Sequence, residues 1–332
     1  MKIAVFWREQ ECFSLKIYRE KIVSELVLKG VEIVYFSGND SIPLQCDIVW
    51  DPGLGMRRVP RIFKKTEKPV ICTVHGLRAF SLPLSEIARN MRESISTTLE
   101  KTSLKSDWSW FKKKVSAVIT VSMYGKEEIV RAFAIQRDKV FPIYHGVDHN
   151  IFYVKNEQLN GVKPFFLHVS QYNPKKNVER IFAAFDLLAK PCPDLLMIIP
   201  GYKGRLVDNP GVIIDTQGVA PEELAKHFQK ALCFVFPSLH ETFGMPIVEA
   251  MACGCPVITS NVTACQETAG NAALLVNPRS AEKIYSAMKQ MSENNELRQG
   301  LREKSIMRAS MFSWTKSAEE HLQIFKRACA TA

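Results

Sequence analysis

The amino-acid sequence predicts an α/β protein made of two doubly wound, parallel-sheet domains of Rossmann-like type that face each other across a cleft. Three observations carry this prediction. Apolar runs of strand length alternate with helix-period segments along the whole chain. Most of those runs are apolar without strict alternation, as in strands buried on both faces by helices. The chain has 332 residues with 46% hydrophobic content, more than one core usually organises, which favours two domains.

In the first half, strands are expected at KIAVFW (2–7), VEIVYFS (31–37), CDIVW (46–50), PVICTVH (69–75), AVITVS (117–122) and KVFPIYHG (139–146), with helices over Leu15–Lys29 and Lys126–Phe133. The second half repeats the pattern at PFFLHVS (164–170), LLMIIPG (195–201), GVIIDT (211–216), CFVFPS (233–238), CPVITS (255–260) and AALLVN (272–277), with amphipathic helices such as Asn177–Ala189 and Pro221–Gln229. The polar segment YVKNEQLNGVK separates the two sets. The expected domains are therefore 1–152 and 164–311, with a linker at 153–163 and a C-terminal helix at 312–332. Loops after the strands are where such folds place their chemistry.

Composition narrows the setting. Forty-four Lys and Arg against 34 Asp and Glu leave a net charge of +10, suited to phosphates or an anionic surface. The nine cysteines form no C-x-x-C pair, which excludes a zinc or disulfide framework and points to a reducing, cytoplasmic setting. MKIAVFWREQE reads as a strand and not a signal peptide. No apolar run approaches the roughly 20 residues of a membrane span. A nucleic-acid partner is not expected, because no reader motif is present. His145 and His149 flank Gly146 with no helix to present them together, so no metal site is expected.

The stretch HETFGMPIVEAMACGCPVITS (240–260) is the most informative. CFVFPSLHETFG reads as strand then loop, and PIVEAMACG as a helix beginning near Pro246. Amides at Gly244, Met245 and the helix start are then unpaired and suited to a phosphate. Glu241 falls in the loop and Glu249 in the first helical turn. An ionised carboxylate at Glu249 suits the vicinal hydroxyls of a ribose, and Glu241 a sugar hydroxyl. Ala250, Ala252, Cys253 and Gly254 let the helix pack closely on its sheet.

The pattern E-x-F-G-x-P-x-x-E-A-M-A-x-G-x-P-V over Glu241–Val257 resembles the signature of glycosyltransferase family 4, retaining nucleotide-sugar transferases of GT-B fold. The resemblance extends to TVHGL (73–77), VITVS (118–122), YHGVDHNIF (144–152), NPKKN (173–177) and NAALLVNP (271–278). It implies a donor site in which Glu249 binds ribose, and Glu241 with the backbone of Phe243, Gly244 and Met245 holds the donor sugar. Lys176 pairs with the diphosphate, and His75 faces the transferred sugar. It also implies a front-face mechanism in which the leaving phosphate helps deprotonate the acceptor, with a UDP- or GDP-sugar as donor, no metal and no further cofactor. Base contacts are expected around Tyr202–Arg205 and Asp215–Val219. The C-terminal helix near Trp314–Ala328 is expected to cross back to the first domain.

Two departures stand out. Ser170-Gln171 occupies the place where the family carries Gly-Arg, and the loop after the first strand is WREQEC instead of a paired-glycine loop. Gln171, or Arg8, or Gly53 and Gly55 in DPGLGM, are the candidates for the missing diphosphate contact. The basic stretches Met56–Lys68 and Asp107–Val115, the latter with two tryptophans and a phenylalanine, read either as a peripheral contact with the inner face of a membrane or as solvated helix faces whose aromatics are core. The expected activity is transfer of a sugar to a glycan or glycolipid acceptor. A sugar-nucleotide epimerase, a phosphorylase and a non-catalytic nucleotide-sugar-binding protein remain as alternatives.

Overall fold

The computed structural model describes residues 1–9, 13–38, 40–55, 57–88, 90–155, 163–204 and 207–330. The chain divides into two compact units, Met1–Gly146 with Ser313–Ala332, and Val147–Phe312.

The first unit runs β1 (Lys2–Phe6), α1 (Phe13–Leu28), β2 (Glu32–Phe36), β3 (Ile48–Asp51), β4 (Val70–Val74), α2 (Met91–Lys114), β5 (Val115–Thr120), α3 (Met123–Phe133) and β6 (Val140–Pro142). Its six strands are parallel in the order β2-β1-β3-β4-β5-β6. Capping residues set the helix starts. The Asn90 side chain accepts the Glu93 amide at 2.9 Å and Ser122 accepts the Gly125 amide at 2.9 Å. The core is aromatic: Phe6 meets Phe36 and Phe63 edge-on, and Trp108 stacks on Phe133 at 4.2 Å. Phe63, Trp108 and Phe111 are therefore interior residues. The aromatics of the two basic stretches serve packing, because a 24-residue helix laid on a sheet must bury one face.

The second unit runs β7 (Phe165–Val169), α4 (Val178–Asp186), β8 (Asp194–Ile198), β9 (Val212–Asp215), α5 (Pro221–Lys230), β10 (Cys233–Phe236), α6 (Met245–Ala252), β11 (Val257–Ser260), α7 (Thr263–Ala269), β12 (Ala273–Val276), α8 (Ala281–Glu293) and α9 (Asn295–Ala309). Its parallel order is β12-β11-β10-β7-β8-β9. Phe166, Phe182, Phe185, Val235, Ile258 and Met288 lie in its core. All twelve strands coincide with the runs read from the sequence, with extensions of one or two residues at β3, β5 and β8.

The units meet in sequence at Gly146/Val147 and Phe312/Ser313. The segment expected as a linker at 153–163 lies within the second unit, and residues 156–162 are outside the described set. Packing explains the shift: Phe152 is buried against Phe228, and Gln229 Nε2 donates to the Tyr153 carbonyl at 2.8 Å.

The last helix, α10 (Trp314–Ala330), returns to the first unit and packs on α1, β3 and β5. Gly146 makes this possible, since a Cβ there would stand 2.2 Å from the Trp314 nitrogen. We expect Gly146→Ala to destabilise the protein by about 1–3 kcal/mol, the usual effect of overpacking. Chemical denaturation of a variant with unchanged midpoint would refute this.

Beneath α10, Tyr18 OH lies 2.6 Å from His321 Nε2 and 3.2 Å from Thr73 Oγ1, and its ring meets His75 and His145 edge-on. Burial holds His75 and His321 down at about 4 and His145 well below its ordinary value. The folded histidines stay neutral while the unfolded chain takes up protons below about 6.5. Their contribution to stability is complete above that pH and is lost as pH falls toward the folded values. Tm should drop steadily between about pH 6.5 and 5, with a shallower slope in His321→Gln. A flat profile over that window would rule out the neutral cluster.

Candidate active site

In the second unit, β7 and β10 are central neighbours, and the chain order reverses between them. Their outgoing loops lie together at the switch point where doubly wound sheets hold ligands. From β7 come Gln171 and, after one turn at Pro174–Lys176, Lys176. From β10 come Ser238, Glu241 and Gly244.

Lys176 Nζ lies 2.6 Å from Glu241 Oε1, and Ser238 Oγ donates to the same oxygen at 2.6 Å. The side chains are 14% and 10% exposed, so the pair is nearly closed to solvent. The ammonium also sits 4.8 Å from the Phe236 ring centre. Burial by itself would raise the Glu241 carboxyl, but Lys176, followed by Lys175, outweighs it and holds the group down to about 2. Thus the residues assigned to diphosphate and sugar by resemblance form one ion pair.

Neighbouring groups hold this pair in place. Asn177 takes a left-handed backbone, φ 62°, and its amide donates to the carbonyls of Pro237 and Pro278 at 2.9 and 2.6 Å. The Glu241 amide donates to Thr263 Oγ1 at 3.2 Å. His168, kept neutral at about 4 by burial, bridges the strands: its Nδ1 donates to the Val235 carbonyl and its Nε2 accepts from Ser170, both at 2.8 Å.

Gly244 caps α6 with φ 95°, a conformation that costs glycine nothing. The amides of Gly244 and Met245 have no acceptor among the described residues, the arrangement that suits an anion. The helix begins at Met245, one residue before its expected start, so Glu249 opens the second turn and not the first. Glu249 is half-buried, and its carboxyl has no hydrogen-bond partner among the described residues. Burial pushes it up to about 7. Phe243 is buried edge-on against Phe312, and its carbonyl accepts from Thr268 at 2.6 Å. Gln171 is exposed with no side-chain hydrogen bond among the described residues. In the expected base loop, the Gln217 and Gly218 amides donate to Asp215 at 2.8 and 3.2 Å, whereas Arg205 is outside the described residues.

The first unit has a corresponding switch point between β1 and β3. Arg8 follows β1 and grips the fully buried Asp51 with both terminal guanidinium nitrogens at 2.7 and 2.6 Å. Arg8 thus already has a carboxylate partner, as Lys176 has in Glu241. Gly53 donates its amide to Asp51 at 3.0 Å. His75, at the end of β4, places Nε2 2.8 Å from the Pro52 carbonyl. The next turn is anchored where the Leu77 amide donates to Glu128 at 2.8 Å. Gln10, Glu11 and Cys12 of the first loop lie outside the described residues.

Two adjoining family models match this arrangement: glycosyltransferase family 4 over residues 40–151 and glycosyl transferases group 1 over residues 151–308. The chain belongs to glycosyltransferase family 4. This glycosyltransferase is 26% identical over 282 residues to O-antigen chain mannosyltransferase B of Escherichia coli, covering 77% of its own length and 70% of that relative's. It spans only 29% of the serotype-specific mannosyltransferase WbdA of Escherichia coli, at 25% identity. Among solved structures it is similar to sucrose-phosphate synthase from Thermosynechococcus elongatus, with a TM-score of 0.76 at 18% identity and 100% of both chains covered. It is also similar to Anabaena HepE in complex with UDP-glucose, with a TM-score of 0.72 at 14% identity and 100% and 99% of the chains covered. These likenesses place the glycosyltransferase in the GT-B fold.

Sequence reasoning missed Ser238, Thr263, Asn177 and His168 as supports of the site. Only Asn177 left a local trace, since asparagine tolerates the left-handed turn that ends the Pro-Lys-Lys segment. Among the described residues no group of three or more His, Cys, Asp or Glu could hold a metal ion, and no helix is long and apolar enough to cross a membrane.

Proposed function

We propose that this glycosyltransferase is a retaining hexosyltransferase that moves a sugar from a UDP- or GDP-sugar to a glycan or lipid-linked acceptor without a metal. The observation that carries the reading is the buried Lys176–Glu241 pair beside the open amides of Gly244 and Met245. When the donor's glycosidic bond breaks, charge grows on the departing diphosphate. A fixed ammonium and two aimed amides stabilise that charge without reorganising. Glu241 keeps Lys176 oriented and, with its second oxygen, offers an acceptor to a sugar hydroxyl. Glu249 takes the ribose diol. His75, held neutral by burial, can act as a hydrogen-bonding group and not as a cation.

The UDP-glucose bound by HepE and the mannosyl transfer named for the relatives support a hexosyl donor. Cytoplasmic residence, with peripheral membrane contact, fits an acceptor carried on lipid. Calorimetric titration with UDP, GDP and their glucose and mannose conjugates tests the donor. NMR of the product tests the outcome, with retention at the anomeric carbon expected. Product formed without acceptor would establish the epimerase alternative, dependence on free phosphate the phosphorylase, and binding without turnover the non-catalytic protein.

A further inference from the structure

The outward face of α2 takes no part in the donor site, yet it is not built as a solvated surface. Met91, Ile95 and Leu99 are 79%, 55% and 64% exposed, and their spacing of four residues sets them in one stripe along the helix. Leu104, Trp108 and Phe111 hold the opposite side of α2 in the core. Charges are sorted in the same way. At 3.6 residues per turn, Arg92, Lys105 and Lys113 fall on the half of the helix that carries the stripe. The helix's acidic residues Glu93, Glu100 and Asp107 recur every seven positions and fall on the other half.

Beside Leu99, a depression of about 660 Å³ is lined by Arg57, Arg58 and Glu100 among others. Arg58 is held by Asp107 at 2.5 and 2.9 Å. The Arg57 guanidinium has no hydrogen-bond or ion-pair partner among the described residues. Single exposed apolar residues are ordinary, but an apolar stripe flanked by cations, with the helix's own carboxylates turned to its other half and Glu100 bordering it only beside Leu99, has the chemistry of an interfacial helix.

We propose that this face of α2 docks the protein on an anionic lipid bilayer, with Met91, Ile95 and Leu99 entering the headgroup boundary. Arg57, Arg92, Lys105 and Lys113 then lie against lipid phosphates. A second copy of the chain is a poorer occupant, since a two-fold contact centred on this face would set its cations against themselves. The proposal extends the glycosyltransferase reading to where a lipid-linked acceptor would be met, but its readout does not require turnover.

The test is flotation of the full chain with vesicles of phosphatidylcholine and phosphatidylglycerol, compared with phosphatidylcholine alone. Binding is expected only to the anionic vesicles. It should fall at least about tenfold in Met91→Ser/Ile95→Ser/Leu99→Ser, and similarly in Arg92→Gln/Lys105→Gln/Lys113→Gln. It should also fade in about 0.5 M salt. Nucleotide affinity and Tm, measured without vesicles, should match the wild type in both variants, because every replaced side chain is exposed. The proposal is overturned if the wild type does not float, floats equally with neutral vesicles, or floats unchanged in the apolar triple variant. A dimer that the triple variant dissociates would also overturn it, in favour of a second copy. If flotation behaves as expected while nucleotide fails to bind, the donor-site reading fails alone.

Discussion

Replacing Lys176 with alanine is expected to lower kcat/KM on the order of 100-fold or more, about 2.7 kcal/mol of transition-state stabilisation. The effect is large because Lys176 is the cation whose ammonium pairs directly with Glu241 at the β7–β10 switch point, while Arg8, the other candidate, is bound to Asp51. Gln171, where the family resemblance implies an arginine, can donate a hydrogen bond but supplies no charge. The same change also leaves Glu241 buried without its counter-ion, which destabilises the fold by about 3–5 kcal/mol when such a pair is broken. The double variant Lys176→Met/Glu241→Gln separates the two effects, since it removes both charges. Its Tm should recover most of the loss while turnover stays low. Gln171→Arg should restore part of the activity to Lys176→Ala, because the Gln171 side chain is exposed and an arginine fork pairs bidentately with phosphate. Near wild-type turnover in Lys176→Ala would overturn the assignment of leaving-group stabilisation to this residue.

Changing Glu249 to glutamine should weaken nucleotide binding by about 1.5–3 kcal/mol while making the free protein more stable at alkaline pH. Both effects come from one unpartnered, half-buried carboxyl. Its folded-state pKa is raised from 4.5 to about 7 by burial. The unfolded chain releases the proton first. Stability is therefore full below about 4.5 and is lost as pH rises to the folded value. Glutamine carries no such penalty, so the variant should gain on the order of 2 kcal/mol above about pH 7.5 and nothing near pH 4. A ribose diol donates its hydrogen bonds to the ionised form. Wild-type affinity should thus rise with pH through about 7, and the variant should lose that dependence. Calorimetry with free UDP and GDP, paired with denaturation at both pH values, measures both halves. Equal affinity in the two proteins would remove Glu249 from the donor site.

Much of this was legible in order along the chain. Strands such as Val70–Val74 and Phe165–Val169 could be read because a strand buried on both faces needs an unbroken apolar run. Gly244 and the helix after it were legible because a left-handed cap needs glycine and a first turn accepts proline. The C-terminal helix could be assigned to the first unit only through resemblance, since nothing in Trp314–Ala328 itself names Tyr18 or Gly146 as its neighbours.

What the sequence determined by itself was the alternation of strands and helices, the two parallel sheets they imply and the glycine turn that opens the helix at Met245, all of which depend on residues close in the chain. The tertiary structure alone decided which charges are already spoken for. Lys176 closes on Glu241, 65 residues away, and Arg8 closes on Asp51, 43 residues away. It also decided that Trp108 is core while Met91, Ile95 and Leu99 face solvent. Spacing of 3.6 residues per turn shows which side chains share a face, but not which face the sheet will cover. Pairing and burial follow from strand order, which brings distant loops within hydrogen-bond reach and is not written at any one position.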